Sequence, residues 1–383
     1  MISLGLTAAE QALYELSLFT GYNLKVTVQI LDLAHRYITD VSSQLVDGQV
    51  NNSRTDEVNS SASLTLLDPD FVSGFDTSSP SDGALYADRM IRIVYSVSSE
   101  LLPKWVDCPI FCGPVIKVTR DDAIVSVECQ GKEALGVDPT LFFTSKTYKK
   151  GEKVSSVLID AAKKIGETKF DIDGSRKLAS DKSIKIDTVP WTFLQSIAGS
   201  KNLRQLWYDG RGVLRLRDRP TKPVFVFTEP TLKSVPKLDY NAADIKNTAY
   251  VRGADPAGKT KQLTAKRYLP SSHPASPAAL GRNGTKRYMV EIVDDDTLKT
   301  QKAVNTAADD LIDTLKTQLM GFDFDSFVFP HLEQGDVVAL STRDISINLT
   351  LDQFAIPLLA EGAQSNGVIK KVSANATRIR RKK

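Results

Sequence analysis

Residues 253–260 read GADPAGKT, and Gly253, Gly258, Lys259 and Thr260 carry the spacing of a phosphate-binding loop. Such a loop wraps backbone N–H groups around phosphate, uses its lysine as a point charge and its threonine hydroxyl on magnesium, and needs a buried parallel strand before it and a helix after. Asp294, following Val293, is available as the magnesium-side aspartate. The flanks argue against this chemistry. Residues 245–252 alternate polar and apolar as an antiparallel strand does, and residues 261–270 present no helical face. A P-loop nucleotide-binding enzyme is therefore the alternative reading, not the main one.

The other reactive side chains form no constellation. The acidic pairs Asp121–Asp122, Asp294–Asp296 and Asp309–Asp310 are chain neighbours, whereas catalytic carboxylates need opposed positions and unequal environments. His35, His273 and His331 are far apart in sequence, with no serine or cysteine in a nucleophile context. Cys108, Cys112 and Cys129 are odd in number and have no nearby histidine, which supports neither a disulfide framework nor a zinc site; they read as buried thiols of a reducing cytoplasm. Arg378, Arg380, Arg381, Lys382 and Lys383 are a terminal charge run of the usual solvated kind. No catalytic residue, cofactor-binding residue, metal ligand or cofactor is assigned.

A chain of 383 residues suggests two or three domains, and 42% hydrophobic with 25% charged residues is a globular composition. The net charge of +3 conceals a segregation. Residues 1–140 hold 9 Lys/Arg against 19 Asp/Glu, residues 141–222 hold 18 against 9, and residues 223–383 hold 22 against 18. That distribution excludes a protein gripping duplex DNA over its whole surface, because phosphate affinity comes from clustered cations. No Lys or Arg precedes Lys25 and no apolar run reaches membrane-spanning length, so neither a secretion signal nor a membrane anchor is expected.

The elements that would position any site follow from periodicity. Thr7 with Glu10 forms a capping box, predicting a helix with Leu13, Leu16 and Phe19 on its apolar side and Gly21 at its end. From Leu24 the period becomes two: Leu24, Val26, Val28 and Ile30, then residues 45–50 around Asp47-Gly48, 61–67, 89–97, 105–118 and 123–130. So many successive strands predict a barrel or sandwich, with residues 67–84 as its long loop.

Residues 154–165, with Val154, Leu158, Ala161 and Ile165, predict a helix stopped by Gly166. Residues 184–218 then predict strand, helix and hairpin. Asp187 or Thr188 caps the helix, Pro190 sits in its first turn, and Trp191, Phe193, Leu194, Ile197 and Ala198 make a broad apolar face. Asp209-Gly210-Arg211-Gly212 turns the hairpin, leaving Arg211, Arg215 and Arg217 outward. Beyond Lys222, strands are expected at 245–252, 288–293 and 337–340. A helix over 297–320, capped within 294–297, carries Val304, Ala308, Leu311, Leu315 and Leu319 on one side. The Pro/Ser-rich loop 269–285 is long enough to be mobile or used for contact, as is 67–84. The fold class is thus mainly β with an α+β insert: an N-terminal helix 1–21, a β-domain 22–140, the insert 141–222, and a second β-domain 223–383.

The order of three passages resembles the tail hub proteins of long-tailed bacteriophages, also called baseplate hub or minor tail proteins. They are LVDGQVNNSRTDEVNSSASLTLLDPD at 45–70; GEKVSSVLIDAAKKIG at 151–166 with VPWTFLQSIAGSKNLRQLWYDGRGVLRLRD at 189–218; and the loop 269–285, the long helix and FPHLEQGDVVAL at 329–340. The resemblance implies two tube-like β-barrel domains flanking the insert and assembly as a homotrimer. Three chains with two similar barrels each give a pseudo-sixfold ring that joins a hexameric tail tube to a threefold tip. It further implies as partners the tail tube or distal tail protein, a tip fibre or spike protein and the tape measure protein. DNA would pass through the lumen without specific binding, and the location would be the virion tail tip, assembled in the bacterial host cytoplasm. The hub of a phage-tail-like contractile injection particle is a second alternative with the same arrangement.

Overall fold

The computed structural model describes residues 1–54, 57–68, 85, 89–137, 140–173, 176–178, 181–198, 204–218, 220, 222–239, 245–253, 262–295, 298, 300–316, 321–359 and 364–369. Loop residues 69–84, the phosphate-loop residues 254–261 and the basic tail lie outside that set. The chain divides into two compact units. One comprises Met1–Val235, Phe324–Val337 and Leu351–Asn366; the other comprises Pro236–Asp323, Val338–Thr350 and Gly367–Lys383. The residues expected to form the second β-domain therefore contribute to both.

The first unit opens with α1 (Ala8–Thr20), whose capping box is formed: Thr7 Oγ1 accepts from the Glu10 N–H and Glu10 Oε2 accepts from the Thr7 N–H. Its packed face differs from the expected one. Tyr14 and Leu18 are buried at i and i+4, Tyr14 edge-on to His331 at 5.5 Å, while Leu13 and Leu16 are each 39% exposed. Seven strands follow: β1 (Asn23–Asp32), β2 (Tyr37–Asp40), β3 (Leu45–Ser53), β4 (Ser60–Leu67), β5 (Arg89–Ser98), β6 (Val106–Asp121) and β7 (Ile124–Gln130). Alternation does what it should: Ala62, Leu64 and Leu66 on β4 and Val125, Val127 and Cys129 on β7 point inward, and the residues between them outward. Asp47-Gly48 is not a turn; it lies within β3 beside a register shift between Leu45 and Asp47.

All of these pairings are antiparallel, in the order β2-β1-β5-β6-β7-β4-β3. Strand β6 serves two partners. Its residues 106–114 pair with β5 and its residues 115–121 with β7, with a bulge between Val115 and Lys117 where the strand turns from one ladder to the other. At that corner Gly113 is required, since a Cβ there would stand 1.9 Å from the Gln130 carbonyl oxygen. Among the described residues β2 pairs only with β1, so the sheet is open at that edge.

The insert has a core of its own, every buried member of which lies between Phe142 and Leu216. It contains β8 (Lys146–Tyr148), α2 (Val154–Lys163), β9 (Phe170–Ile172), β10 (Lys182–Ile184), α3 (Pro190–Ala198), β11 (Arg204–Tyr208) and β12 (Leu214–Asp218). The apolar face of α3 is buried as expected, from Trp191 at 1% exposure to Ala198 at 3%. Trp191 stacks on Tyr208 at 5.8 Å and donates its indole N–H to the Glu57 carbonyl at 2.9 Å. Truncating such a buried tryptophan to alanine costs about 3–5 kcal/mol. The expected cap differs: the Thr188 hydroxyl accepts from the Lys185 N–H in the preceding turn, and the first helical bond runs from Phe193 N–H to Val189 O. Strand β13 (Phe225–Thr228) follows the insert in chain order.

The second unit contains β14 (Lys237–Asp239), β15 (Thr248–Arg252), β16 (Thr264–Tyr268), β17 (Val290–Asp294) and α4 (Gln301–Leu315). Strand β15 is antiparallel to β16 but parallel to β17, so this small sheet is mixed where an antiparallel one was expected. Helix α4 covers it through Val304 and Ala308, packed with Val251 and Ala265. The helix begins at Gln301, with Thr300 Oγ1 accepting from the Ala303 N–H, so the cap is Thr300 and not one of residues 294–297. Strands β18 (Gly321–Ser326), β19 (Val337–Ser341), β20 (Ser346–Pro357) and β21 (Gln364–Ile369) complete the chain. Within the first unit, residues 353–357 of β20 pair antiparallel with β3 and extend the ladder above by one strand.

Candidate functional site

The densest polar cluster lies in the first unit, where the insert meets β6 and β7. Lys132, just beyond β7, is 5% exposed and donates to Glu167 Oε2 at 2.5 Å and to the Gly212 carbonyl at 3.1 Å. It also lies 3.0 Å from His35 Nε2 and 5.0 Å from the Tyr208 ring centroid. Glu167 Oε1 accepts from the Thr168 and Lys169 N–H groups at 2.7 and 2.9 Å. Glu133 Oε1 accepts from the Tyr208 N–H at 3.2 Å, while its Oε2 is buried with no partner. Burial pushes the Glu133 carboxyl up to about 7.

The turn predicted at 209–212 is the part of the insert that enters this joint. Asp209 accepts from the Arg211 and Val213 N–H groups at 2.9 Å each and pairs with Arg215 at 2.7 Å. Gly210 lies so close to β6 that a Cβ would stand 2.0 Å from the Pro109 carbonyl oxygen, and Gly212 has a left-handed φ of 71°. Arg215 is therefore not an outward residue. Its side chain is 12% exposed, held by Asp209 and by Asp171 of the neighbouring parallel strand β9.

Cys112 Sγ and His35 Nδ1 approach within 3.8 Å, a pair that could in principle make a thiolate nucleophile. The surroundings prevent it. Burial pushes the Cys112 thiol up to about 11, and burial together with the Lys132 charge holds His35 down at about 4, so both are neutral. The lysine ammonium requires Nε2 as acceptor, which leaves the proton on Nδ1, facing the sulfur; the imidazole cannot take a proton there. The Cys112–His35 pair is therefore no nucleophile, and the contacts of Lys132 tie Glu167 and the Gly212 turn of the insert to the end of β7. Cys108 and Cys129 are also buried free thiols, raised by burial.

The remaining candidates are dispersed. Residues 262–268, where the helix of a phosphate loop would run, form coil and β16 instead. Gly253 has a packing reason: a Cβ there would stand 2.5 Å from Val304 Cγ2 and 2.7 Å from the Leu298 carbonyl oxygen. Asp294 is engaged by Arg252. Asp121–Asp122 form the β6–β7 turn, and Asp309 pairs with Arg267 across α4 and β16. His331 is enclosed by Tyr14, Phe225 and Phe329, and His273 is buried within 269–285. That segment is no free loop over its first half, since Leu269 and Ala275 belong to the core of the second unit. Among the described residues no group of His, Cys, Asp and Glu could hold a metal, and no helix is long and apolar enough to cross a membrane. Lys132, Glu133 and Glu167 were not foreseen; residues 131–133, a polar break after an alternating strand, are the only local sign of them.

No protein-family model and no curated protein sequence matches the chain. Solved structures do. The 43 kDa tail protein of prophage MuSo2 from Shewanella oneidensis superposes with a TM-score of 0.60 at 10% identity, over 91% of this chain and 98% of that one. The tail protein of Neisseria meningitidis MC58 gives 0.58 at 10% identity, over 90% and 96%. The fold is that of phage tail proteins. A chain of a Francisella PdpA–VgrG complex gives a TM-score of 0.51 at 10% identity, with 96% of this chain covering 61% of the matched one.

Proposed function

We propose that the protein is a structural tail hub component of a phage tail tip. Three copies form a pseudo-sixfold ring that joins the hexameric tail tube to the threefold tip and lines the DNA channel. The carrying observation is the end-to-end likeness to tail proteins, nearly complete in both directions. In this reading the two β-domains of each chain occupy alternating places around the pore, a matter of interfaces that needs no catalytic residue. The neighbours above and below are the tail tube or distal tail protein and the fibre or spike, with the tape measure protein in the lumen. The deficit of ten charges over residues 1–140 suits a channel that DNA crosses without adhering. The hub of a contractile injection particle is a second reading, favoured by the likeness to the PdpA–VgrG complex.

Light scattering on the purified protein, combined with titration of a fluorescent ATP analogue, tests this. The expected result is a mass of three 42.0 kDa chains, indifferent to nucleotide. A monomer that binds the analogue, and ceases to on Lys259→Ala, would replace the proposal with the nucleotide-binding one.

A further inference from the structure

One face of the sheet in the first unit is built from small neutral polar side chains. Residues paired directly across an antiparallel ladder share a face. The register therefore puts Asn51, Ser61 and Gln130 in one row across β3, β4 and β7, and Gln49, Ser63 and Glu128 in the next. Thr65 and Ser126 make a third row with Asp47. These side chains are exposed or half-buried, whereas Ala62, Leu64 and Val127 between them point into the core. Residues 353–357 of β20 and 117–121 of β6 flank the three strands, so the face is five strands, or roughly 20 Å, wide. Its charges are few. Asp47, Asp121 and Glu128 are acidic, and Lys117 pairs with Glu128 at 3.0 Å. Exposed large apolar side chains stand at its margins, with Val46, Leu67 and Ile124 at one end and Ile116 at the β6 bulge.

We propose that this face is the wall of the channel, past which double-stranded DNA slides. The proposal rests on the ring reading and names the surface that would line its bore. Other roles call for other residues. A lasting protein contact has an apolar, aromatic-rich centre, and the centre here is serine, threonine, asparagine and glutamine. A phosphate-gripping surface has clustered Lys/Arg that displace counterions, and Lys117 is already engaged by a carboxylate. A face merely turned to solvent carries charges of both signs dispersed over it, and strands disfavour asparagine. A neutral to weakly acidic wall of short side chains gives passing phosphates hydroxyl and amide groups to brush against and no free cation to hold them.

The test compares Ser63→Arg with Ser126→Arg against Ser63→Asp with Ser126→Asp, each pair in the full chain. Light scattering reads the mass of the purified protein, and DNA release is timed from particles assembled with it. Both sites are exposed on the outer side of the ladder, so neither pair touches the core. The expected result is a parental trimer and a parental particle yield for both pairs, with release slowed about tenfold or more by the arginines, restored by added salt, and unchanged by the aspartates. Arginines that leave release at the parent's rate would overturn the proposal, because the face would then lie outside the bore. Aspartates that slow release equally, or either pair lowering the particle yield, would mark a protein contact and overturn it too. Ser126→Cys supplies a second arm with no added charge. In the purified trimer a small maleimide should label it much faster than a maleimide on a polymer too large to enter the bore, and equal rates would overturn the wall. Cys108, Cys112 and Cys129 are buried and stay unlabelled in the native protein. A monomeric parent removes the ring and the wall with it, and the measured mass separates that failure from a misplaced wall.

Discussion

Replacing Glu167 by alanine should be among the most damaging single changes away from the apolar core. The Lys132–Glu167 pair is 2.5 Å long, and its side chains are 5% and 4% exposed. Without the carboxylate, the ammonium faces a neutral imidazole and one carbonyl, and the Thr168 and Lys169 N–H groups lose their acceptor. Breaking a buried pair by removing one partner costs about 3–5 kcal/mol, a large part of the roughly 5–15 kcal/mol that holds a domain folded. Urea titration followed by tryptophan fluorescence reads this directly, because Trp191 and Trp207 both lie in the insert. The paired replacement Lys132→Met with Glu167→Leu removes the stranded ammonium and should recover part of the loss, leaving about 1–3 kcal/mol for the Thr168 and Lys169 N–H groups that still lack an acceptor. A Glu167→Ala cost below about 1 kcal/mol, the value of a solvated pair, would refute the idea that this joint is dry.

Glu133 should make stability fall as pH rises. Its carboxyl titrates near 7 when folded, raised by burial, against 4.5 when exposed, so the unfolded chain releases its proton first. Folding is unpenalised below about 4.5, loses free energy between 4.5 and 7, and carries a constant penalty of about 3 kcal/mol above 7. Glu133→Gln should flatten that slope, and a Gln variant with the parent's slope in a pH series of denaturation midpoints would contradict the assignment. Gly253→Ala should loosen α4 on β15 by about 1–3 kcal/mol, as overpacking does, while Lys259→Ala leaves the midpoint unchanged with or without magnesium ATP. Denaturation of the two variants side by side checks both; a nucleotide-dependent midpoint would revive the phosphate loop. The three cysteines should resist iodoacetamide at pH 8 until urea is added, and rapid labelling of Cys112 in the native protein would contradict its burial.

Local patterns in the sequence were good guides to local structure. The Thr7–Glu10 box, the buried face from Trp191 to Ala198, the turn at 209–212 and the alternation in β4 and β7 depend only on near neighbours, and each is found where expected. Errors arose where a distant partner decided. Arg215 looks like an outward hairpin residue until β9 brings Asp171 beside it, and Leu13 and Leu16 look like the packed side of α1 until His331 meets Tyr14. Asp47-Gly48 carries a turn signal that the long ladder with β4 overrides as a bulge. The return of β20 to β3, some 300 residues later in the chain, leaves no mark on local periodicity. The joint escaped notice for the same reason: Lys132 and Glu167 are separated by 35 residues, and neither residue alone has a distinctive spacing.

Symmetry in the assembled particle is the most direct test of the central claim. Averaged end-on electron micrographs of isolated tail tips, with this chain carrying a bulky tag in a surface loop, should show three tags evenly spaced around a ring with a central pore. A tag count of two or six, or a purified virion that lacks the chain, would contradict the account.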